Sequence, residues 1–183
     1  MSKINRVVIG VNADKKSAVI YRNTDNIQTV PGVFWRSTLW GVDELPVDNS
    51  IPGDRGATLV SREPDGDGVI FRAVEIPPNP KDRAGHIDEM KALHKNVNQK
   101  YPPTEADLAR HPSMHRTDTL DMFVIASGEI YMVTDADEVL LKAGDTAVVQ
   151  GVNHAWDNRS DAPCMIVGVM VSAKAWPANI YPG

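Results

Sequence analysis

The sequence predicts an all-β protein built as an antiparallel barrel or jelly roll. Three observations lead there. From His111 to Asn158 the chain breaks into short apolar runs separated by turn residues: Ser127-Gly128, Thr134 to Asp137 and Ala143-Gly144-Asp145. Several runs alternate apolar and polar residues, the two-residue period of a half-buried strand. Helical periodicity is confined to one insertion, residues 81–111.

The elements follow in order. Residues 4–11 and 17–22 (SAVIYR) flank the turn Asn12 to Lys16 and read as an N-terminal hairpin. Asn23 to Gly32 is polar, ends in Pro-Gly and reads as a loop. Residues 33–42 (VFWRSTLWGV) read as a strand carrying Trp35 and Trp40. Counted by parity, Phe34 and Trp40 share one face and Trp35 takes the other. Asp43 to Gly56 is a long polar loop, a length that suggests function or mobility, and it could cover the barrel mouth.

Residues 57–61 form a short strand candidate, and Glu63 to Gly68 a strong turn. Residues 69–76 (VIFRAVEI) alternate well, with Ile70, Arg72, Val74 and Ile76 on one face. Pro77-Pro78-Asn79-Pro80 opens the insertion. Ile87, Met90, Leu93 and Val97 sit at helical spacing, and Thr104 with Asp107 matches a capping pair for a helix over Glu105 to Arg110, stopped by Pro112. His86, Glu89 and His94 read as solvent-facing helix residues rather than a metal set. Cys164 to Val171 reads as a last buried strand, and the tail carries Trp176, Ile180 and Tyr181. No internal repeat appears. One domain over 1–183 is expected: N-terminal strands 1–76, insertion 77–112, core 113–171 and tail 172–183.

Bulk properties narrow the functional classes. A net charge of -5 without a Lys/Arg cluster argues against nucleic-acid binding. No apolar run spans a membrane and no signal-peptide pattern opens the chain, so a cytoplasmic location is the default expectation. The single Cys164 cannot form an internal disulfide and reads as a buried structural thiol.

Parity places His115, Thr117, Thr119, Asp121 and Phe123 on one strand face, and His154, Trp156 and Asn158 on another. Two strands presenting such groups to one interior would make a pocket rather than a plain core. These residues resemble the two-motif core of the cupin superfamily. His115, Thr117, Asp121 and Gly128 sit in the registers of the first motif, and Gly144, Gly151, His154 and Asn158 in those of the second. Thr117 stands where the family carries its second His, and Asp121 where it carries Glu. The resemblance implies a cupin jelly roll with an N-terminal β extension and a short helical insertion. More loosely, RVVIGVN and LWGVDELPVDN are similar to small one-barrel cupins, some of them found with fungal polyketide pathways and labelled oxidoreductases.

The resemblance implies a small-molecule site. His115, Asp121 and His154 form the candidate catalytic set and would hold a divalent metal, Fe, Mn, Ni or Zn. Thr117, Phe123, Trp156 and Trp40 are the candidate substrate contacts. The metal would polarise a carbonyl or enolate of a small aromatic or keto compound, or bind dioxygen, with oxidoreductase, isomerase, decarboxylase and lyase chemistry all left open by the fold. One alternative is a metal-free enzyme using His and Asp121 in acid–base chemistry; another is a non-catalytic binding domain. The apolar hairpin and the Trp-containing tail, with the resemblance, lead us to expect a homodimer.

Overall fold

In a computed structural model, residues 4–23, 27–30, 34–56, 62–81, 87–88, 90–91 and 100–181 are described. They contain eleven strands and one helix described along its whole length. The strands are β1 (Val7–Val11), β2 (Ser17–Arg22), β3 (Ile27–Val30), β4 (Phe34–Val42) and β5 (Val69–Ile76). After α1 (Glu105–Arg110) come β6 (Thr119–Ser127), β7 (Glu129–Thr134), β8 (Glu138–Lys142), β9 (Thr146–Gln150), β10 (His154–Asp157) and β11 (Cys164–Ser172).

All strand pairs are antiparallel, so the all-β jelly-roll reading holds. A six-stranded sheet runs β3-β4-β5-β11-β6-β9, a three-stranded sheet β10-β7-β8, and β1-β2 form a separate hairpin. Strand β11 joins the two halves of the large sheet, pairing with β5 from Cys164 to Val171 and with β6 from Met165 to Ser172. An isolated bridge between His115 and His154 ties the segment before β6 to the small sheet.

Two apolar clusters hold these layers. Ile125, Ile130, Met132, Leu141, Val149, Cys164 and Ile166 pack between the large and small sheets. Trp35, Leu39, Ala73 and Met165 pack on the opposite face of β4, β5 and β11. Burial pushes the Cys164 thiol up to about 11, which suits a packing role and not a nucleophile.

Several sequence expectations need correction. The segment Asn23 to Gly32 is not all loop: Ile27–Val30 is a four-residue edge strand paired with β4. Its polar composition hid it, because its hydrogen bonds come from a distant partner. The loop 43–56 does not line the interior cavity; Arg6 fixes it from the side by pairing with Asp54 and donating to the Leu39 carbonyl at 3.1 Å. Helix α1 starts with the expected capping box, Thr104 and Asp107 satisfying each other's backbone N–H. Ile87, Asp88, Met90 and Lys91 are helical. The expected strand 57–61, His86, Glu89, His94 and the rest of the helix to Val97 lie outside the described residues. No helix among the described residues is long and apolar enough to cross a membrane.

Candidate functional site

A cavity of about 170 Å³ opens inside the β-shell. Its walls come from β4, β5, β6, β10 and β11, the Pro77–Pro80 segment and Met90. The interior-facing parity of each strand brings the polar groups to it. Strand β6 and the residues before it supply His115, Thr117, Asp121 and Phe123. Strand β10 supplies His154 and Trp156. Phe123 and Trp156 meet edge to face with centroids 5.6 Å apart, forming a rigid apolar wall.

The two imidazoles are neighbours, with ring centroids 4.4 Å apart. The backbone bridge between their residues fixes that spacing. Nδ1 of His115 donates to the Ser113 carbonyl at 2.8 Å, and Nδ1 of His154 donates to the Val152 carbonyl at 3.0 Å. A carbonyl only accepts, so both Nδ1 atoms carry the hydrogen and, in the neutral rings, the lone pair lies on Nε2. Burial lowers His154 to about 4, with Arg62 adding to the effect, so His154 is neutral at pH 7.

Asp121 is buried, and burial raises its carboxyl from 3.8 to about 6 against the opposing pull of Thr119, Arg72 and Arg62. The Thr119 hydroxyl donates to this carboxylate. Thr119 Oγ1 lies 2.6 Å from Thr117 Oγ1, and either hydroxyl can be the donor. Thr117, in the place of the family's second His, thus adjoins the threonine that acts on Asp121. Oδ1 of Asp121 is buried with no hydrogen-bond partner among the described residues.

Among the cavity residues that sequence reasoning did not assign to the site, three are charged: Arg36 on β4, Arg62 before β5 and Arg72 on β5. Burial lowers each guanidinium, Arg36 and Arg62 to about 10 and Arg72 to about 9. Arginine keeps its charge in proteins, so these shifts reflect how costly that charge is where burial strips it of water. The three also repel one another. For Arg72 a signal existed: it shares a strand face with Ile70, Val74 and Ile76, where a solvated cation does not belong.

Two expected contacts lie elsewhere. Trp40 is not among the cavity residues, because a register shift between Thr38 and Trp40 resets the parity set by Phe34. Asn158 follows the end of β10 and donates instead to the Ile76 and Ala162 carbonyls, both at 2.9 Å. It closes a loop rather than facing the cavity. Its neighbour Asp157 points away from the interior. Burial alone would raise its carboxyl, but His111, 3.6 Å away, and hydrogen bonds from Asn79 and Arg159 hold it well below the usual range. Asn79 thereby pins the Pro77–Pro80 wall to β10.

The expected metal set does not assemble. Among the described residues no group of three or more His, Cys, Asp or Glu could hold a metal ion. His115 and His154 adjoin, whereas Asp121 is engaged by Thr119 and faces Arg62 and Arg72. A cation beside that guanidinium cluster would be repelled.

The β-shell thus carries a half-open, largely apolar cavity into which a few polar groups converge. The family model for the cupin domain matches residues 98–171, and this stretch of the chain is a cupin domain. Among curated proteins, the phomopsin biosynthesis cluster proteins C' and D of Diaporthe leptostromiformis are each 52% identical to it over 68 residues, 37% of this chain and 35% of theirs. The oryzines biosynthesis cluster protein J of Aspergillus oryzae is 44% identical over 50 residues, 27% of this chain and 28% of its own. The match thus spans about a third of the length of these relatives. The cupin domain of Schizosaccharomyces pombe Cnp3 superposes over 93% of this chain and 89% of its own, with TM-score 0.47 and 12% identity.

Proposed function

We propose that this chain is an enzyme that moves a proton on a small carbonyl compound, using Asp121 as the acid–base group within the cupin cavity. The observation that carries this reading is the contrast between two buried groups. Asp121 is held at about 6, where it both takes and gives a proton near neutrality, while His154 stays neutral. Ionised Asp121 would remove a proton from the carbon next to a substrate carbonyl. The C–H electron pair would move onto the carbonyl oxygen as an enolate, and returning a proton from Asp121 to the same carbon, on either face, would re-form the carbonyl and complete an exchange or epimerisation. Thr119 steadies the carboxylate through its donated hydrogen bond. Phe123 and Trp156 exclude water from the substrate's apolar body. The biosynthesis-cluster relatives are in keeping with small-molecule chemistry.

The test is exchange of the α-proton for deuterium in D2O, followed by NMR across a panel of aromatic keto compounds. Wild type should catalyse exchange on at least one member, and Asp121→Asn should slow it by about 10²–10⁴-fold. Metal analysis of the same preparation completes the test. Equal exchange in both proteins, or exchange that appears only with stoichiometric divalent metal, would reject the proposal.

A further inference from the structure

We infer that the cavity takes a phenolic ketone and that Nε2 of His154 accepts the hydrogen bond of its hydroxyl. The ketone rests on the acid–base reading; the phenol stands on separate observations. His154 is 2% exposed and lines the cavity. Its Nδ1–H is taken by the Val152 carbonyl, so the lone pair on Nε2 is the group left to meet a ligand. Among the described residues no group donates to Nε2. The same carbonyl bond and the backbone bridge to His115 hold the ring in place. A buried acceptor without a donor costs about 1–3 kcal/mol, and a ligand hydroxyl offsets that cost.

The donor has to be neutral. A carboxylate only accepts, and Arg62 acts on His154 as a like charge, which disfavours an ammonium beside it. Burial keeps the imidazole neutral, so the hydroxyl keeps its proton and the contact is an ordinary hydrogen bond. The donor also has to sit on an aromatic body. The His154 and Trp156 rings meet edge to face with centroids 6.2 Å apart, and Trp156 meets Phe123 in the same way at 5.6 Å. The acceptor therefore adjoins the apolar wall directly. A phenol meets both demands: its ring lies against that wall, and its O–H stays protonated until about pH 10. It also reproduces the hydrogen bond that water would otherwise give Nε2, which a methyl ether does not.

Calorimetry at pH 7.5 with 3- and 4-hydroxyphenylacetone, 4-methoxyphenylacetone and phenylacetone tests this without any variant. One of the two phenols should bind at least tenfold more tightly than phenylacetone, about 1.4 kcal/mol, and the methyl ether no more tightly than phenylacetone. The preference should survive a chelator. His154→Leu should bring that phenol and phenylacetone to within about twofold of each other. His154→Gln, whose side-chain carbonyl can accept in place of Nε2, should keep part of the preference; circular dichroism checks that both variants fold, and the wild-type series decides alone if they do not. Asp121→Asn should lose proton exchange and keep the phenol preference, so the two readings fail separately: exchange in wild type without that preference would overturn this inference and leave the acid–base reading standing. Phenols no tighter than phenylacetone, a preference undiminished in His154→Leu or abolished by the chelator, or no binding of any of the four at millimolar concentration would each overturn it as well.

Discussion

Replacing Asp121 by Asn should change the stability of this protein in a way that depends on pH, and the sign follows from the cavity. The Asp121 carboxyl titrates near 3.8 when unfolded and at about 6 when folded, mainly because burial penalises the charge. A group with a raised folded pKa contributes stability that is complete below the unfolded value and is lost as pH rises through the folded one. The loss across that window is about 3 kcal/mol. Asn keeps the shape, accepts the Thr119 hydroxyl through its carbonyl and carries no charge. Asp121→Asn should therefore be more stable than wild type by about 1–3 kcal/mol at pH 7.5, with the advantage shrinking toward zero near pH 4.

His154 supplies an internal control. Its folded value is lowered to about 4, so its contribution is lost as pH falls from 6.5 toward 4. In wild type the two groups tilt in opposite directions over nearly the same window. Removing Asp121 should expose the His154 slope, so the variant loses stability steeply on acidification where wild type is flatter. Glu63, raised by burial, titrates in both proteins and largely cancels in the difference. Urea melts at half-unit pH steps measure the effect. A constant difference across pH, or a variant less stable at pH 7.5 than at pH 5 relative to wild type, would refute the reasoning.

Two further outcomes are expected. Gly168 lies across from Phe123 on the cavity side of β11, and a Cβ there would sit 2.2 Å from the Phe123 ring and 2.4 Å from the Met122 carbonyl oxygen. Gly168→Ala should cost about 1–3 kcal/mol or more and weaken ligand binding by displacing the aromatic wall; thermal melts and calorimetry check both, and a wild-type melt would count against this packing. The outer face of the large sheet exposes Phe71, Met122, Val124 and Val148, and β1 exposes Val7, Ile9 and Val11, more apolar strand surface than a monomer usually leaves bare. We propose a homodimer that covers part of it: light scattering should give twice the chain mass at micromolar concentration, with Val148→Glu shifting it toward monomer, and a monomeric wild type would reject the assignment.

The strands were legible because their signal is local. Alternation and Gly- or Asp-rich turns marked β2 and β5 to the residue and β6 to β9 within a few. Edge strand β3 was not, because Ile27–Val30 owes its conformation to pairing with β4, which no window around it contains. Within the site, residues on one uninterrupted stretch could be read by parity: Thr117, Asp121 and Phe123 all reach the cavity. Parity failed where the backbone broke step, at the shift before Trp40 and beyond the end of β10 at Asn158. The arginines were harder. Arg62 comes from an irregular segment with no period to read, and their meeting is a property of sheet order, set by pairings between strands far apart in sequence. The three-ligand metal set failed for a related reason: spacing along the chain names residue types, but the electrostatic company of Asp121 is chosen by β5 and the turn before it.

The position of β11 has a consequence for dissecting this protein. The cavity residues Phe34, Arg36, Arg62, Arg72 and Val74 lie on the N-terminal side of that strand's pairing, outside the matched stretch 98–171, whereas Asp121, Phe123, His154 and Trp156 lie within it. An excised segment 98–171 would thus keep one wall of the cavity and lose the other, and would present a bare hydrogen-bonding edge where β5 had been.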